Sequence, residues 1–207
     1  MKNHINTIVR VLVISDFFLF FSSGLITPIF AVFLIDEIPG STLEVVGLAT
    51  SIFWVSRISS VIPISKLIDK LKGYKDEYYL LIFGTLFIAS LPLLYIFVSK
   101  SWQVYVIQFF NGIAFSMVVP SWRVIFTKNL DRDKVGFEWS LDDVGIGIAT
   151  SISAYLGSLI AQEFGFKVLF VCMFLIGLTS FLTLLFMYKG DGALFDVENK
   201  PVEHKQL

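Results

Sequence analysis

The sequence predicts an all-α polytopic membrane protein whose six transmembrane helices form a 3+3 inverted repeat, and three observations carry that expectation. Of 207 residues, 56% are hydrophobic, 22 are Phe and only 16% are charged, an apolar content beyond what a soluble core of this size uses. The apolar residues fall into six runs of roughly 20, the length that crosses about 30 Å of hydrocarbon. Finally, Val46 to Ile52 read VGLATSI, and Ile146 to Ile152 read IGIATSI.

The six runs cover about 9–35, 43–64, 78–98, 102–126, 140–161 and 167–188. The first is too long for a signal-peptide core, and Ser22-Ser23-Gly24 is followed by further apolar sequence rather than a cleavage site. The transmembrane domain is therefore expected over 1–188, with residues 189–207 as a polar cytoplasmic tail. Between runs 1 and 2, 3 and 4, and 5 and 6 the connections are short: 36–42, 100–102 and 162–166. Lys and Arg are segregated. Thirteen lie before run 1, between runs 2 and 3, at or after the end of run 4, or in the tail, whereas the other connections hold only Lys100 and Lys167. The positive-inside rule then puts both termini in the cytoplasm of a cell whose cytoplasmic membrane the chain spans several times.

With that topology, run 2 enters the membrane from outside and run 5 from inside, so one heptapeptide opens two helices of opposite direction. An inverted repeat of runs 1–3 as runs 4–6 produces this pattern; so does coincidence among Ala-, Ile-, Gly- and Ser-rich membrane segments, and both readings stay open. Gly47 and Ser51 in run 2, and Gly147, Ser151, Ala154 and Ser158 in run 5, recur at helical spacing and suggest faces for close backbone approach. Runs 1, 2, 4 and 5 carry most of the polar side chains at mid-depth. Ser23, Thr50, Ser51, Gln108, Asn111, Thr150 and Ser151, with Trp54, are the candidate lining of a substrate path. Runs 3 and 6 are poorer in such groups and are expected at the periphery. The aromatic stretch DFFLFF (16–21) is expected to face lipid or packing surface, and Trp102, Trp122 and Trp139 to sit at the interfaces.

Charges inside apolar runs are expensive, roughly 2.5–3.5 kcal/mol at a helix centre. Asp16 and Arg57 each lie about seven residues from the cytoplasmic end of their run, about 10 Å deep at 1.5 Å per residue. They are placed either to form a buried pair, or to act separately, with Arg57 snorkelling to the headgroups and Asp16 bonding nearby hydroxyls. Asp142 and Asp143 suit the first turn of run 5, where the helix dipole favours negative charge, with Ser140 as cap. Glu44 suits the first turn of run 2.

No nucleophile–base set, phosphate-binding loop or metal-ligand spacing is present, so the sequence predicts no enzyme, no cofactor and no metal site; His4 and His204 lie in the polar ends. The net charge of -1 gives no sign of a nucleic-acid partner. Cys172, the single cysteine, is expected to act as a small hydrophobe.

The stretch SKLIDKLKGYKDEYYLL (65–81), with Asp69 followed by Lys70, resembles the cytoplasmic loop signature between helices 2 and 3 of the major facilitator superfamily, although Ser65 stands for a Gly and Lys72 is inserted before Gly73. YLGSLIAQEFGFKVLF (155–170) resembles that family's passage from helix 5 to helix 6 through Gly157, Gly165, Phe166, Lys167 and Phe170. Pro28, Gly112 and Pro120 also sit where the family places them. The resemblance covers about 9–188 and is to the N-terminal six-helix half.

It implies a transporter that moves a small solute by alternating access, with Asp69, Lys70, Arg123, Asp142 and Asp143 as a cytoplasmic gate. It also implies a second six-helix half, in a homodimer or a heterodimer, unless the chain is part of a longer one. FTKNLD (126–131) and FEWSLDD (137–143) resemble short bacterial members, which makes the expected location a bacterial inner membrane. Gln108 stands where many proton-coupled members have Arg, so proton coupling is not implied. A non-transporting sensor or assembly partner that kept the fold is the alternative.

Overall fold

In the computed structural model, residues 5–70 and 74–189 are described; the expected tail from 190 onward, His4, Lys72, Gly73 and His204 lie outside them. The described residues are helical with no strands. Asn6 opens α1 (Thr7–Gly24) by accepting the Ile8 N–H at 3.0 Å, as an N-cap residue does. Pro28 ends it, because proline has no N–H to give and its ring collides with the carbonyl four residues back, here that of Gly24. The chain passes through a 3-10 turn (Thr27–Ile29) and resumes as α2 (Phe30–Glu37). The Thr27 hydroxyl donates to the freed Ser23 carbonyl at 2.8 Å. The remaining helices are α3 (Leu43–Lys70), α4 (Tyr74–Tyr95), α5 (Ser101–Asn129) and α6 (Val135–Lys189). Five helical runs are long and apolar enough to cross a membrane: Thr7–Glu37, Leu43–Lys70, Lys75–Tyr95, Ser101–Asn129 and Val135–Met187.

The last run does not continue straight. Gly165 has φ 82° and ψ 166°, a region open essentially to glycine alone, and the contacts on either side show a reversal. Before it, Ser153 and Gly157 meet Gly24 and Leu25; after it, Ser22 donates to the Met173 carbonyl at 2.7 Å and the Ser15 and Ser180 hydroxyls pair at 2.9 Å. Residue numbers thus rise along α1 with the first limb of α6 and fall with the second. By the same test α3 and α5 run parallel, since Ser41 meets Ser101 and the Ser116 hydroxyl donates to the Arg57 carbonyl. α4 lies antiparallel to α5 and closes the bundle between it and α6.

Two apolar clusters brace the two ends. One gathers Leu12, Tyr78, Trp122, Phe126 and Leu184; the other gathers Leu34, Ile38, Ala49, Leu169 and Phe170. The end that holds the first also carries Arg10, Lys75, Lys128 and Lys134, with Lys128 bound to Glu77 at 3.2 Å and Asn6 donating to the Asn129 carbonyl at 3.1 Å. The predicted segregation of basic residues is therefore a segregation in space.

Two expectations need correction. α4, expected at the periphery, is the most covered of the apolar runs and α3 the least, yet α4 keeps an exposed outer face with Tyr79 and Phe83. The helix that begins run 5 starts at Val135, five residues before the expected 140. Asp142 is therefore two turns inside the helix, Glu138 is the acidic residue of the first turn, and Ser140 donates back to Gly136 instead of capping. Finally, Gly47 and Gly147 face open space, whereas a β-carbon on Gly112 would overlap the Ser56 hydroxyl and the Phe53 carbonyl, and one on Gly157 the Leu25 carbonyl. Close approach uses these other glycines. Gly112→Val and Gly157→Val should each cost about 1–3 kcal/mol by overpacking, while Gly147→Ala should stay within about 0.5 kcal/mol of the parent; unfolding in lipid nanodiscs measures all three.

Candidate functional site

One face of each of α3 and α5 lines a largely aromatic and aliphatic interior set with a few polar groups. On α3 it is Thr50, Phe53, Trp54 and Arg57; on α5 it is Gln108, Asn111, Phe115 and then Val118 or Trp122. Intervals of three and four residues keep these groups on one side of a helix. The interior is divided in two. A cleft of 380 Å³ is lined by Ser22, Ser23, Thr27, Thr50, Trp54, Gln108 and Asn111 among others, with Tyr95 and Met173 contributed by α4 and α6. A chamber of 190 Å³ lies toward the basic end, lined by Asp16, Phe20, Arg57, Phe115, Trp122, Arg123, Trp139 and Asp142.

Phe115 borders both spaces. The Arg57 guanidinium stands 5.1 Å from the centre of the Trp54 ring and 5.5 Å from that of Phe115, close enough for cation–π attraction, worth about 0.5–2 kcal/mol according to exposure. Phe53 packs edge-on against both rings. Arg57, Trp54 and Phe115 together form the partition between cleft and chamber.

Of the predicted path residues, Ser23, Thr50, Trp54, Gln108 and Asn111 line the cleft, whereas Ser51, Thr150 and Ser151 do not. The first limb of α6 turns Ala149, Ser153 and Gly157 onto α1, which leaves Thr150 and Ser151 on its exposed flank. Asp16 and Arg57 line the same chamber but form no ion pair with each other; among the described residues the ion pairs are Lys128–Glu77 and Lys134–Asp131. Arg57 also does not snorkel free of the protein, because it is held against aromatic rings. Buried Asp142 and exposed Arg123 both border the chamber, while Asp69, Lys70 and Asp143, also exposed, do not line it.

Sequence reasoning missed Phe115, Tyr95, Phe20 and Trp122. Trp122 is 5% exposed and stacked on Phe126 at 4.4 Å. Its spacing of eleven from Asn111, and that of Phe115 at four, was the available signal, since both fall on the Gln108–Asn111 face.

A model of the Major Facilitator Superfamily matches residues 12–206. The chain belongs to that superfamily. Over 200 residues it is 24% identical to the uncharacterized MFS-type transporter MJ1560 of Methanocaldococcus jannaschii, covering 96% of this chain and 50% of that relative. The fold also matches the in meso crystal structure of the POT family transporter PepTSo, with TM-score 0.69 at 15% identity over 90% of this chain and 38% of that one; at such identity the likeness is one of fold. The chain thus spans half the length of its curated relative. Its apolar helices and its family make it a multi-pass membrane protein.

In this superfamily member the partition has a measurable energetic signature. In a double-mutant cycle, Arg57→Met and Trp54→Leu should show a coupling of about 0.5–2 kcal/mol in unfolding free energy, and additive losses would mean that the ring contact holds nothing.

Proposed function

We propose that the chain is one six-helix half of a transporter in the cytoplasmic membrane, crossing it six times with both termini inside, and that a small solute moves through the cleft by alternating access without any covalent step. The polar cleft and the chamber, stacked along the bundle and divided by Arg57 and Phe115, carry this reading. A solute in the cleft meets hydroxyl and amide groups on α1, α3 and α5. Its release toward the basic end requires the partition to move.

The inverted repeat gains support from burial. In both heptapeptides the alanine, Ala49 or Ala149, is fully buried, and the residues flanking it on each side are exposed. Each copy also receives a close-packed glycine: Gly24 of α1 rests on Thr150 and Ser153, and Gly112 of α5 on Phe53 and Ser56. Ala49 and Ala149, related by 100 residues, are therefore buried alike, each on a helix that a glycine of another helix approaches closely. The exposed flanks, with Leu48, Thr50, Ile148 and Thr150, are the surface on which a second half would close the path. That half would come from a second copy, a separately encoded partner or a further part of a longer chain, parallel to the first about an axis normal to the membrane.

In a Cys172→Ser background, Asn111→Cys should react with membrane-impermeant maleimide from both faces of sealed vesicles, and labelling from one face alone would overturn alternating access. Cysteines placed at Thr50 or Thr150 should cross-link between chains in native membranes. Cross-linking at Phe83 or Phe186 instead would move the seam to the other side of the bundle.

A further inference from the structure

A groove of 540 Å³ runs along the outside of the bundle between α4 and the second limb of α6. Tyr79, Ile82 and Phe83 line one side of it, and Leu182, Leu185 and Phe186 the other; no residue of α1, α2, α3 or α5 takes part. Tyr78 lies at its floor, buried, with its hydroxyl donating to the Leu184 carbonyl at 3.2 Å. The two helices are antiparallel here, since Tyr78 meets Leu184 and Ala89 meets Gly177. The lining residues lie between the Ala89–Gly177 contact and the basic end of the bundle. Phe83 and Phe186 stand out from it at 61% and 67% exposure, so the groove has apolar rims as well as an apolar floor.

The register of both helices brings a lysine to the same end of this groove. Residues three, four, seven and eight apart share one side of a helix. Counting back along α4 from Tyr78, Tyr79, Ile82 and Phe83 reaches Lys75, which is exposed. Counting forward along α6 from Leu182, Leu185 and Phe186 reaches Lys189, its last residue. The neighbouring acids do not share this register. Asp76 is about a quarter-turn further round α4, and Glu77 is on the far side, buried and bound to Lys128 at 3.2 Å.

Apolar along its length and basic at one end, the groove has the polarity profile of an anionic phospholipid. Lipid tails cover any transmembrane bundle; a lipid is held in place where a cavity fits its chain and charge fits its headgroup. Basic side chains beside transmembrane helices favour anionic headgroups. The span from Tyr78 to Phe83 is about 8 Å along the helix, room for the part of an acyl chain nearest the headgroup. A second copy of the chain fits less well. A twofold axis normal to the membrane would bring this face against itself, with lysine against lysine.

We propose that the groove retains one anionic phospholipid, with an acyl chain between Phe83 and Phe186 and the phosphate at the end marked by Lys75 and Lys189. An ammonium carries three donors, so the phosphate adds to any other contact that Lys75 makes. This goes beyond the transport reading and does not depend on it.

The test is native mass spectrometry of the full chain in detergent, titrated with dioleoyl phosphatidylglycerol, with phosphatidylcholine of the same chains, and with oleate. One phosphatidylglycerol per chain should be retained, about tenfold more tightly than phosphatidylcholine. Lys75→Gln and Lys189→Gln should each weaken phosphatidylglycerol about fivefold and leave phosphatidylcholine unchanged. Leu182→Trp, which fills the groove, should weaken both. Equal retention of phosphatidylcholine by the parent protein would mean that the headgroup is not read, and retention of oleate in place of phosphatidylglycerol would make this a fatty-acid site; either overturns the proposal. So does retention of no lipid, and so does disulfide cross-linking of Phe83→Cys or Phe186→Cys between chains, which would make the groove an interface between copies. The parent protein decides among the lipids, so a variant that fails to fold leaves that result standing.

Discussion

The close seat of α1 between the two limbs of α6 is the constraint on which the rest of the bundle depends. In a membrane, lipid tails are as apolar as the side chains they would replace, so helices are held by packing and by hydrogen bonds rather than by exclusion from water. Both devices meet on α1. Gly24 and Gly157 remove the bulk that would hold the backbones apart, and Ser15 and Ser22 bond across to Ser180 and the Met173 carbonyl. Such bonds are worth only about 0.6–1.7 kcal/mol each in membranes. Their placement matters more than their strength, because they fix the rotation of α1. That rotation decides that Asp16 faces the chamber and Ser23 the cleft.

The α3–α5 pair repeats the device with Gly112 and Ser56 and presents Arg57 in place of an acid. The two pairs face each other across a space that a ring–cation partition divides lengthwise. The hydroxyls inside the bundle are paired by the fold itself, whereas Asp16, Asp142, Arg57 and Arg123 form no ion pair among the described residues. A scaffold meant only to be stable would have neutralised them directly, as Lys128 does for Glu77 at the basic end.

Much of this was legible in the sequence. Helical runs and the segregation of basic residues follow from apolar length and charge count, both local properties; the break at Pro28 was available from proline chemistry, although the first run was read as one helix. The polar cleft was legible to the extent that residues share a face: Thr50, Trp54, Gln108 and Asn111 were found, and Phe115 and Trp122 were available at the same spacing. Rotation of a helix about its axis was not legible. Thr150 and Ser151 look as suitable as Thr50, and only the packing of Ala149 and Ser153 on α1 turns them outward. Asp142 was misread for a related reason, since an acid near a helix start and an acid two turns inside differ by where Glu138 and Asp131 begin the helix. The true contact glycines were indistinguishable from Gly47 and Gly147 until partners were placed.

The partition at Arg57 has an electrical consequence. Two water-accessible spaces stacked across a bilayer, if joined, would let ions run down the membrane potential, which drives each elementary charge by about 2.3 kcal/mol per 100 mV. Phe115 narrows the junction between them, and the Arg57 cation held there repels passing cations as the rings exclude water. A side chain that divides the interior in this way also insulates the membrane, and loss of its charge would be felt first as leak.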